Sequence, residues 1–107
     1  MNDLSHEPGI VHRLTTSART LGATSRQEQQ SLLREAAKQI EAYQSLLALY
    51  GSAAYEIDKD IFGRLTNYAD RIDFIYLDET RSVMLEAAAV IRHLRLILGI
   101  NPEASSR

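Results

Sequence analysis

Both prolines of this 107-residue chain, Pro8 and Pro102, lie near its ends. Between them no ring replaces a backbone N–H, so nothing forbids long helices. Apolar residues fill that interval at alternating spacings of three and four, which align side chains on one helical face. No Asn-Gly or Asp-Gly pair occurs, so the usual hairpin signals are missing. The pattern predicts an all-α protein, a helical bundle of three to four helices.

The first helix is expected over about 9–21, where Val11, Leu14, Ala18 and Leu21 share a face and Gly22 offers a stop. The second is expected over about 25–50. Ser25 and Glu28 form a capping box, each side chain placed to bond the other's backbone amide. Leu33, Ala36, Ile40, Tyr43, Leu47 and Tyr50 then make a seam like that of a coiled coil, widened by Leu32 and Leu46.

A third helix is expected over about 53–77, after Ser52, with Ile57, Ile61, Leu65, Tyr68, Ile72 and Ile75 inward and Gly63 as a weak point. A fourth is expected over about 79–98, with Asp78 as its N-cap and Met84, Ala87, Ile91, Leu94 and Leu98 inward; Gly99 and Pro102 end it. Alternatively, Ile72, Tyr76, Thr80, Val83 and Ala87 continue one stripe, which makes the third and fourth helices a single long one. Residues 1–8 are expected to be a flexible segment, 9–100 one domain and 101–107 a polar tail. Leu33–Ile40 and Met84–Ile91 echo each other, but leucine, alanine and glutamate are ordinary helix formers and the echo alone establishes no repeat.

The absence of cysteine excludes disulfides and thiolate chemistry, and suits a cytoplasmic protein. No signal-peptide pattern is visible at the start, and the most apolar stretch, 83–100, is broken by Glu86, Arg92, His93 and Arg95, so no membrane partner is expected. Charge is unevenly spread. Residues 56–79 hold seven acidic and three basic groups, while 80–107 hold four basic and two acidic ones. Duplex nucleic acid needs a concentrated basic face, so it is not an expected partner.

Catalytic patterns are missing too. None of His6, His12 and His93 belongs to a Glu-x-x-His pair of the kind a di-iron bundle needs, and no phosphate-binding loop is present. Asp58/Asp60, Asp70/Asp73 and Asp78/Glu79 read as solvated faces and helix starts, and Asp60 stands four residues before Arg64 in the order that favours an ion pair. The expectation is a protein with no enzyme activity, metal or cofactor.

Two features point outward. The last helix is apolar nearly all round, which predicts burial on every side and a homo-oligomer with Arg92, Arg95 and Leu96 between chains. Tyr55, Phe62 and Phe74 fall on polar strips beside acidic groups, as aromatic residues at protein interfaces do, and are the candidate partner-binding residues.

The stretch Leu32-Leu-Arg-Glu-Ala-Ala-Lys-Gln-Ile-Glu41, with the short helix and capping serine before it, resembles a phrase found in small phage-encoded helical accessory proteins. That resemblance implies a viral protein in the host cytoplasm that inhibits or modulates a host or defence protein by binding it. The residues themselves support a non-enzymatic helical interaction protein acting by occlusion. The alternative is an oligomer that sequesters a nucleotide, stacking it on Tyr55 or Tyr76 and pairing its phosphates with Arg92 and Arg95.

Overall fold

The computed structural model describes residues 9–49 and 60–100. It contains four α-helices: α1 (Ile10–Arg19), α2 (Arg26–Leu49), α3 (Ile61–Asp70) and α4 (Leu77–Leu98). A 3-10 turn, Leu21–Ala23, joins α1 to α2, and another, Ile72–Phe74, joins α3 to α4. No strand occurs among the described residues, as the spacing predicts.

The local signals mostly work where they are strongest. Ser25 Oγ accepts the Glu28 amide at 3.0 Å and Glu28 Oε1 accepts the Ser25 amide at 2.9 Å, so the capping box is formed. Gly99 adopts φ 75°, where a side chain is strained, and α4 closes in a Schellman turn with Ile100 N–H on the Arg95 carbonyl at 2.8 Å.

Three boundaries differ from expectation. The first helix stops at Arg19, before Gly22, which lies in the 3-10 turn. The third stops at Asp70 rather than 77, and α3 and α4 are separate helices. At the second break the 3-10 turn Ile72–Phe74 interrupts the helix and Ile75 becomes extended at φ/ψ −114/137, while Ile72 keeps its expected inward place at 3% exposed. Tyr76, not Asp78, then stands at the N-cap of α4, and Asp78 falls in the first turn. Gly63 lies within α3 without interrupting it. The segments 1–8 and 101–107, Tyr50 and the expected start near 53 lie outside the described residues.

The fold is one motif used twice. A short helix, a 3-10 turn and a long helix occur over 10–49 and recur 51 positions later over 61–100. The correspondence extends to single hydrogen bonds. Ala23 N–H bonds the Thr20 carbonyl at 2.8 Å, and Phe74 N–H bonds the Arg71 carbonyl at 2.8 Å. Thr24 and Ile75, each closing its turn, have φ/ψ of −113/148 and −114/137. Of the 40 residue pairs, 12 are identical, and these include both partners of an ion pair made in each unit: Arg13 with Glu35, and Arg64 with Glu86.

The units pack by exchange. α1 lies mainly on α4, and α3 lies mainly on α2. Gln30 on α2 donates to the Ala69 carbonyl at 2.7 Å, and the residue in its place on α4, Arg81, donates to the Ala18 carbonyl at 2.9 Å. The long helices run parallel. Arg26, at the start of α2, bonds the Ile75 carbonyl beside the start of α4 at 2.6 Å, and Tyr43 meets Arg95 near the far ends. These paired contacts describe an approximate two-fold axis along the long helices. Leu14, Leu21, Leu33 and Ile40 from one unit and Leu65, Ile72, Met84 and Ile91 from the other form one core, none more than 3% exposed. Burying each such side chain stabilises the fold by about 1.5–3 kcal/mol.

Candidate functional site

Because the motif occurs twice, each unit shows what the other's backbone tolerates. The turn before α2 carries Ala23, Ser25 and Arg26; the same positions before α4 carry Phe74, Tyr76 and Leu77. Ser25 caps its helix, and Arg26 Nη1 bonds Gln29 Oε1 at 3.0 Å while Nη2 holds the Ile75 carbonyl. Tyr76 makes no side-chain capping bond. Phe74 is 84% exposed, Tyr76 82% and Leu77 41%. The second turn therefore lacks a cap worth about 1 kcal/mol and presents three large apolar groups to water. The fold does not require them, since the first turn reaches the same backbone conformation without them.

Carboxylates flank this knob along the chain: Asp70, Asp73, Asp78 and Glu79 are all exposed, as is Arg71, with Arg34 on Asp70 at 2.7 Å and Arg81 on Asp78 at 3.1 Å. An aromatic group with acidic flanks suits an apolar hollow edged with lysine or arginine, and repels phosphate.

The expected site residues are dispersed. Phe74 is at the centre of the knob. Phe62 does not face outward: like Val11, its counterpart in the first unit, it packs partly buried against the core. Tyr55 lies outside the described residues. Arg92 and Leu96 are exposed on α4, whereas Arg95 turns inward, donating from Nε to the Tyr43 hydroxyl at 3.0 Å and lying 5.8 Å from that ring's centre. Within one chain α4 keeps an uncovered side, where Leu96 is 79% and Leu85 44% exposed. Tyr76 and Arg92 stand at opposite ends of α4, about 24 Å apart at 1.5 Å per residue, so one chain does not assemble the nucleotide site expected from them. Leu77 carries no surface signal in the sequence, and Tyr76 fits both an inward stripe and a nucleotide-stacking role, so neither stands out there as a partner-binding residue. Aligning the chain with itself at an offset of 51 places Tyr76 opposite the capping Ser25, and that is the signal that finds them.

A groove also lies between the short and long helix of each unit. Arg64, Tyr68, Asp78, Glu79, Ser82, Val83 and Glu86 line the second, of about 360 Å³. Their counterparts Arg13, Ser17, Gln27, Glu28, Ser31, Leu32 and Glu35 line the first, of about 670 Å³, together with His12 and several threonines. Tyr68 in place of Ser17 narrows the second. The larger groove has a ligand-like volume, but Arg13 is held by Glu35, no aromatic lines it, and its Thr20 and Thr24 hydroxyls donate to the carbonyls of Thr16 and Leu21. Among the described residues no three or more His, Asp or Glu are grouped to hold a metal, and no helix is long and apolar enough to cross a membrane. The chain matches no protein family, no curated protein and no solved structure.

Proposed function

We propose that this is a non-enzymatic interaction protein that docks the turn between α3 and α4 on another protein and acts by occluding that partner's working surface. The observation that carries the reading is the exposed Phe74–Leu77 knob, which stands where the duplicate unit has alanine, serine and arginine on the same backbone. A few residues supply most of the binding energy at protein interfaces, tyrosine being enriched among them, and the acidic flank favours a basic rim. The concrete version is a host or defence component as the partner, in a cytoplasm shared with a phage; it rests on the resemblance of Leu32–Glu41 to phage accessory proteins.

The test replaces the second turn by the first. The triple variant Phe74→Ala, Tyr76→Ser, Leu77→Arg is immobilised beside the wild type, and bacterial lysate is passed over both. A protein retained by the wild type and lost by a fully helical variant supports the reading. Identical capture by both refutes it.

A further inference from the structure

We infer that the outward face of α4 is a self-complementary surface for a second copy of this chain, packed antiparallel with Leu85 against Leu85. This goes beyond the docking turn, shares only Asp78 with the carboxylates flanking it, and stands even if the turn binds nothing.

The stripe consists of Asp78, Arg81, Leu85, Ala89, Arg92 and Leu96, spaced three and four apart and all exposed. In the first unit the positions matching the last four are Arg34, Lys38, Glu41 and Ser45, an ordinary solvated face. The same backbone thus carries a polar surface on α2 and an interrupted apolar one on α4. The core does not demand Leu85 or Leu96, because its inward positions on α4 are Val83, Met84, Ala87, Ala88, Ile91 and Leu94.

Spacing and charge select the occupant. Counted from Leu85, Arg81 and Ala89 lie four residues to either side, and Asp78 and Arg92 lie seven. In an antiparallel pair centred on Leu85, Asp78 of each copy therefore faces Arg92 of the other, twice over. Ala89 leaves room for the long Arg81 side chain, and Asp78, whose side chain is 93% exposed, has an oxygen to spare beyond its bond to Arg81. A parallel pair would set Asp78 on Asp78 and Arg92 on Arg92, which charge forbids. One helix laid on another is a small interface, so the dimer forms and dissociates with concentration rather than being obligate.

The test is sedimentation velocity of the full chain over a wide range of concentration, with helicity followed by circular dichroism. The wild type is expected to move from monomer to dimer. Leu85→Arg, which installs the residue α2 has there, should hold the chain monomeric with its helicity kept. Arg92→Glu should weaken the dimer ~10-fold or more, and adding Asp78→Lys to it should restore most of that loss. A wild type that stays monomeric at the highest concentration overturns the proposal. So does a dimer indifferent to Leu85→Arg, or a charge-swapped pair that fails to recover while remaining helical.

Discussion

Arg81 donates from Nε to the carbonyl of Ala18, 63 residues earlier in the chain, at 2.9 Å. Ala18 is one residue from the end of α1, where carbonyls lose their helical partners. The reciprocal bond, Gln30 to the Ala69 carbonyl, does the same for α3. Each long helix thus secures the end of the other unit's short helix. Arg81→Ala and Gln30→Ala should each destabilise the protein by about 1 kcal/mol, read as a fall in the urea midpoint. No change in either would show that these carbonyls are as well served by water.

Capping should respond in opposite directions at equivalent positions. Ser25→Ala removes a formed capping box and should cost about 1 kcal/mol. Tyr76→Ser sets a serine three residues before Glu79, as Ser25 stands before Glu28, and should gain a similar amount. A variant more stable than the wild type that has lost its protein partner would show that Tyr76 serves binding at the expense of folding. A lower melting temperature for Tyr76→Ser would instead mean that the exposed ring supports the fold.

Because each short helix is covered by the other unit, neither unit should unfold first. Leu14→Ala and Leu65→Ala, equivalent and both at most 1% exposed, should each cost about 2–5 kcal/mol. Both should lower one shared transition, monitored by circular dichroism at several wavelengths. A biphasic curve in which only one phase moves would contradict the exchanged packing.

Ala36 and Ala87 are both wholly buried, at matching positions on the two long helices. A larger side chain has no space there. Ala36→Leu and Ala87→Leu should each cost about 1–3 kcal/mol through overpacking, measured by thermal melting. If either is neutral, the core beside it holds room that the structure does not show.

Helix content, the capping box at Ser25 and the stop at Gly99 were legible from the residues alone, since each depends on neighbours within a turn or two. The inward stripe of α4 was legible as well, because periodicity reports which side of a helix is apolar. It does not report which helix covers that side. That α1 lies on α4 and α3 on α2 was decided by tertiary packing, as were the end of α3 at Asp70, the exposure of Tyr76 and the inward turn of Arg95 to Tyr43. The duplication was hidden for a related reason. Gln30 and Arg81 are chemically unlike, yet each lends an N–H to the same carbonyl of the opposite short helix. A sequence keeps residue types, whereas the fold keeps only donors, acceptors and buried volume, and different residues supply these equally well.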